Sequence, residues 1–132
     1  MKNKTKIDKE KSLSLMQMAQ ITLERLNLLD KLKYPSNTLN DFYDILHKLM
    51  ESYSSLEGIK FSGDNAHKEL IDYACQKLFN SQDRIFLQEL RQFRNQIAYE
   101  GFNIDRNYLE RNTKKIETYI SILINKIKIT LK

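Results

Sequence analysis

Hydrophobic and polar positions along this chain recur with helical spacing, and no segment shows sustained alternation of the kind a half-buried strand requires. Pro35, the Gly58–Gly63 stretch, Asn80–Ser81 and Gly101 are the only strong breaks, and they leave five segments. The first, about Asp8–Lys33, sets Leu15, Met18, Ala19, Thr22, Leu26 and Leu29 on one face, widened by Leu13, Met16, Leu23 and Leu28. Thr38 and Asp41 have capping-box spacing and open a second helix with Phe42, Ile45, Leu46, Leu49, Tyr53 and Leu56 inward. Asp64 caps a third helix carrying Leu70, Ile71, Ala74 and Leu78. Asn80 and Asp83 start a fourth with Phe86, Leu90, Phe93 and Ile97, which Gly101 stops. Asp105 opens a long fifth helix with Leu109, Ile116, Tyr119, Ile120, Leu123 and Ile127 inward, while Ile122, Ile124 and Ile129 lie off that line. The expected fold is a single all-α, up-and-down bundle of about five helices over residues 1–132, joined by short connections.

Composition agrees with that reading. One proline and three glycines in 132 residues are too few for the many turns of a sandwich or barrel. Cys75 is the only cysteine, which excludes an internal disulfide and a cysteine zinc site and suits a reducing, cytoplasmic setting. The longest uncharged stretch, Ser12–Leu23, is too short to span a bilayer, so no membrane association is expected. Net charge is +5, and it sits at the ends: residues 1–11 carry +3, residues 105–132 carry +4, and the middle is −2. The lysine-rich start, 1–11, reads as a flexible or frayed segment, with a phosphate-contacting arm as the alternative.

Catalytic motifs are sparse: there is no Gly-rich phosphate loop, GxSxG, HExxH or Cys/His cluster, and no metal or cofactor is expected. His47 with Glu51 four residues on reads as a solvated ion pair. His67 lies in the first turn of the third helix, where the helix N-terminus favours its neutral form, and is a secondary candidate base. Cys75 is expected to be buried and inert.

The stretch from Arg91 to Gly101 stands apart. Arg91, Asn95 and Tyr99 follow at i, i+4 and i+8, and Arg94 adjoins them. Two guanidiniums, an amide and a phenol on one strip suit a phosphodiester and a stacked base. The alternative is a polar helix face with salt bridges to Glu89 or Glu100.

Arg94–Asn95 followed at a fixed step by Tyr99, late in a helix of a small bundle, resembles the signature of the HEPN superfamily (higher eukaryotes and prokaryotes nucleotide-binding). That family's motif is an arginine, usually with a polar residue after it, then four to six residues to a histidine. The resemblance implies a helical bundle, commonly dimeric, and a metal-independent endoribonuclease of toxin–antitoxin or defence systems, sometimes paired with a nucleotidyltransferase. In the family the histidine assists attack of a ribose 2′-hydroxyl and the arginine stabilises the phosphorane. This chain has Tyr99 where the histidine belongs, and a phenol is a poor base near neutrality. The reading is therefore an RNA- or nucleotide-associated HEPN-like module using Arg94, Asn95 and Tyr99, with Arg91 and Arg94 on phosphate and a degenerate nuclease centre. Recruitment of His67 in space would restore activity. The alternative is a non-enzymatic interaction module, for example a partner of a nucleotidyltransferase. A homodimer is expected, from the resemblance and from the broad apolar girth of the first and fifth helices.

Overall fold

A computed structural model describes all residues, Met1–Lys132. Five helices carry the fold: α1 (Lys9–Asn27), α2 (Pro35–Leu56), α3 (Ala66–Leu78), α4 (Ser81–Glu100) and α5 (Arg106–Leu131). The all-α bundle is thus as the periodicity predicts. Two short strands, β1 (Lys2–Lys4) and β2 (Ile59–Phe61), pair antiparallel, with Lys2 opposite Phe61 and Lys4 opposite Ile59.

The helix α2 is the hub, packing against each of the other four. Its six predicted inward residues are all buried, joined by Leu39, Tyr43 and Met50. Against it α1 approaches closely because its contact face is small: Ala19 and Ser12 are fully buried. The Ser52 hydroxyl donates to the Ser12 carbonyl at 2.7 Å, and the two hydroxyls lie 2.8 Å apart. The inner line of α1 is Ser12, Met16, Ala19 and Leu26, with Leu15, Thr22 and Leu23 half-buried. Met18 and Leu29, expected inward, are exposed, as are Leu13, Ile21 and Leu28. The stripe is wide enough that periodicity left its centre ambiguous by one position, and the serine that marks it carries no hydrophobic signal.

Helices α4 and α5 meet through aromatic rings rather than through close backbones. Phe93 meets Tyr108 edge-on at 4.9 Å, and Tyr119 lies between Phe79 and Phe86 at 5.2 and 5.9 Å. Both phenols are satisfied at the rim, Tyr108 donating to Glu89 and Tyr119 to Asp83 at 2.6 Å. The buried face of α5 is the six residues predicted, while Ile122 and Ile129 are exposed.

Caps explain the boundaries, including those the sequence misplaces. Asp8 accepts from Lys11 N at 2.9 Å and starts α1, which stops at Asn27, not Lys33. The chain must turn there, since Asp30 accepts from Leu32 N and Pro35 disfavours helical geometry in the residue before it. Proline's fixed φ then starts α2 at Pro35 rather than at a Thr38–Asp41 box. Thr38 is buried and donates to the Lys31 carbonyl at 2.6 Å, and Asp41 accepts from Arg25 at 2.9 Å. At α3 the cap position is Asn65, without a side-chain hydrogen bond, and not Asp64. The predicted starts of α4, a reciprocal Asn80–Asp83 capping box, and of α5 at Asp105 are both found, and Gly101 ends α4 with φ 67°.

The lysine-rich start is placed, not frayed. Beyond the β1–β2 ladder, Thr5 N donates to the Gly58 carbonyl at 2.8 Å and Asp8 N to the Ser55 carbonyl at 3.1 Å. The Met1 amino group pairs with Glu69 at 2.7 Å. Three-residue strands built on Lys-Asn-Lys have no alternation to detect, which is why composition alone suggests a tail. Close approach needs glycine at one point: Gly58 has φ 69°, and a Cβ there would lie 2.8 Å from the Thr5 carbonyl oxygen.

Replacing that glycine tests the placement. Gly58→Ala is expected to cost about 2 kcal/mol, from the left-handed backbone and the displaced Thr5. Denaturant melts measure the loss, and hydrogen exchange at Lys2–Lys4 should rise with it; protection unchanged in the variant would contradict the docking of β1.

Candidate functional site

Tyr43, His47 and Glu51 follow at i, i+4 and i+8 along α2 and so share one face. Across from them the first turn of α3 brings His67, and the imidazoles stack with centroids 4.0 Å apart and planes 27° apart. Tyr43 extends the stack, 6.1 Å from His47 and 6.3 Å from His67. Two histidines that the sequence separates by a loop and most of a helix are thus one unit.

Polar neighbours lie beside each ring. His47 Nδ1 is 3.3 Å from a Glu51 carboxylate oxygen, an ion pair once the ring is protonated. The Tyr43 hydroxyl is 3.3 Å from His67 Nδ1. Burial pushes the Tyr43 phenol up to about 12, against the pull of Arg91 and Arg94, so the hydroxyl that meets His67 is neutral.

Electrostatics keep both imidazoles neutral. Burial lowers His47 from 6.5 to about 4, aided by His67, Lys48 and Arg94 and opposed by Asp44. His67 is also lowered, by burial first, then by the charges of Arg94 and Arg91, with Glu51 opposing. His47 is therefore not the solvated partner of Glu51 that its spacing suggests: only 17% of its side chain is exposed.

The α4 strip is divided by the fold. Arg91 and Arg94 bear electrostatically on Tyr43 and His67, and Arg94 also on His47. Neither makes a salt bridge to Glu89 or Glu100; Arg91 Nε donates to Gln88 at 2.7 Å, and Glu89 is taken by Tyr108. Asn95 is half-buried beside them. Tyr99 is 79% exposed near the end of α4 and makes no hydrogen bond, so it stands apart from the cluster. Cys75 is buried and its thiol is raised to about 12. No group of three or more histidine, cysteine and acidic side chains is arranged to hold a metal ion, and no helix is long and apolar enough to cross a membrane.

The cluster joins two imidazoles and two guanidiniums to Glu51, with the Asp44–Lys48 ion pair at its edge. Protonating either ring adds a cation among cations, whereas an anion seated there would favour the protonated rings. The signal for it was in the sequence as the Tyr43, His47, Glu51 line; what brings His67 to that line is tertiary. No family model, curated protein or solved structure matches the chain.

Acid stability reports the buried imidazole. A folded pKa below the unfolded value means that the unfolded chain binds more protons, so stability falls as pH drops from about 6.5 to 4. For His47 the loss approaches roughly 3 kcal/mol at the low end. Urea melts at pH 7 and pH 4.5 should show it, with a smaller difference in His47→Gln; equal slopes in the two proteins would place His47 in water.

Proposed function

We propose that this protein is an RNA-binding helical module that cleaves a phosphodiester by 2′-hydroxyl transesterification, with His47 and His67 as the proton-transfer pair. The observation that carries the reading is the stacked pair itself, beside two arginines that have no carboxylate partner. A bound phosphodiester raises the pKa of both rings, and one of them is then protonated in the complex. His47 Nε2 takes the ribose 2′-hydroxyl proton as O2′ bonds to phosphorus. His67 gives its proton to the departing O5′ as the P–O5′ bond breaks. Arg91 and Arg94 offset the charge of the phosphorane, with Asn95 beside them. Products are a 2′,3′-cyclic phosphate and a 5′-hydroxyl, and the need for a 2′-hydroxyl makes RNA the substrate. The likeness to the HEPN superfamily belongs to this proposal, with arginine and histidine drawn from different helices and Tyr99 left on the surface, available to stack on a base.

Cleavage of a single-stranded RNA oligonucleotide in the presence of a chelator is the test. Wild type should yield cyclic phosphate ends, and His47→Ala or His67→Ala should lower the rate by about 10²–10⁴-fold. Arg94→Ala should weaken binding by about 1–3 kcal/mol. RNA neither bound nor cut, or cut equally by both histidine variants, overturns the reading.

A second reading, a protein-interaction module, has its own support. Leu13, Met18 and Ile21 leave the outer side of α1 apolar, Leu28 and Leu29 are exposed just past its end, and Ile122 and Ile129 are exposed on α5. A second copy of this chain would cover such a face, and a nucleotidyltransferase is the heterologous candidate. Light scattering at micromolar concentration should then give about twice the 15.7 kDa chain mass. A persistent monomer removes the self-association.

A further inference from the structure

The docked N-terminal segment does more than close the sheet. Together with α2, β2 and α3 it walls a cleft of about 430 Å³, within the size range of small-ligand sites, and His47 and His67 form part of its lining. Lys6 comes from the segment, Lys11 from the first turn of α1 and Lys60 from β2. None of the three makes a salt bridge or rests on an aromatic ring.

The same wall holds two carboxylates. Asp8 accepts from Lys11 N as the α1 cap, and Glu51 lies 3.3 Å from the neutral His47. Ser55 is only 8% exposed, lines the cleft, and its hydroxyl has no hydrogen-bond partner. Three ammoniums and the Ser55 hydroxyl therefore face two carboxylates, a net positive set suited to an anion. Ile59 and Phe61 supply an apolar patch beside them. Arg91 and Arg94 are outside the cleft lining, so the histidines are flanked by a second group of cations beyond it.

We infer that this cleft is the subsite for the nucleotide next to the cleaved bond, its phosphate held by Lys6, Lys11, Lys60 and Ser55 and its base lying against Phe61 and Ile59. The inference rests on the reading of His47 and His67 as the cleaving pair, and it names single-stranded nucleic acid as what lies across them. The docking of the N-terminal segment is then a substrate-binding device, since it holds Lys6 over the cleft beside Lys11 of α1.

The experiment uses the full chain and a short fluorescent DNA single strand, which lacks the 2′-hydroxyl and cannot be cut by this route. Anisotropy titrations over a range of salt compare wild type with the Lys6→Ala/Lys11→Ala/Lys60→Ala protein. Dissociation constants should rise at least about tenfold in low salt, and the salt slope should fall by about 0.7, the share of one single-strand phosphate. Ser55→Ala should weaken binding by a smaller factor, and it serves alone if the triple variant does not fold. Unchanged affinity and slope overturn the subsite. So does adenosine monophosphate bound as tightly as the strand with the same lysine dependence, which marks a free-nucleotide site, or equally tight polyglutamate, which marks an acidic-peptide site. Lysine-dependent strand binding without any RNA cleavage keeps the subsite and removes the nuclease reading. Histidine-dependent cleavage with KM unchanged in the triple variant does the reverse.

Discussion

The contact between Ser12 and Ser52 sets the arrangement on which the rest depends. Two fully buried serines hydrogen-bonded to each other let α1 lie against α2 more closely than leucine or methionine would. A buried hydroxyl is tolerable only when it is paired, so this contact fixes register as well as distance. Its neighbours in sequence are Lys11 and Glu51, one residue away on either helix, and both face the cleft. The helical core and the polar site are therefore positioned by the same pair of side chains.

From that register the electrostatics follow. Glu51 lies within reach of His47, and the α2 face that carries them meets α3 where His67 begins its first turn. Core packing forces two basic rings together in a place already under the influence of Arg91 and Arg94, and the rings respond by staying neutral. A structural role alone would favour apolar side chains at a stacked, half-buried junction of this kind, because neutral imidazoles there gain little that phenylalanine or leucine would not. The cluster is costly to keep and chemically able, the usual condition of a site that binds a charged ligand.

Much of the fold was legible from periodicity. The inner faces of α2 and α5 are found as predicted because each is a dense stripe of large apolar residues, and the caps at Asn80, Gly101 and Asp105 each place the right residue type at the right step. The errors fall where local signals compete. Thr38 and Asp41 have the spacing of a cap, yet Pro35 starts the helix a turn earlier; the β1 strand is too short and too charged to show. At the site, Arg91 and Arg94 were visible as a strip within one helix. The histidine pair was not, since it spans α2 and α3, and a sequence displays neighbours along a helix but not across one. Tyr99 shows the converse: i+4 and i+8 spacing places it on the same helix face as Arg91 and Asn95, two turns away from where the charges converge.

Gly58 carries a consequence for kinship. The backbone at this position passes so close to Thr5 that no side chain fits without moving one of them, so descent is constrained here more tightly than at most surface positions. Drift among related chains would be free to recolour the exposed lysines and the outer face of α1. A lineage retaining the cleft would have to keep a glycine between the Tyr43, His47, Glu51 ladder and the histidine of the next helix. That spaced quartet and its glycine, rather than overall identity, form the pattern by which distant kin of this protein would be recognised.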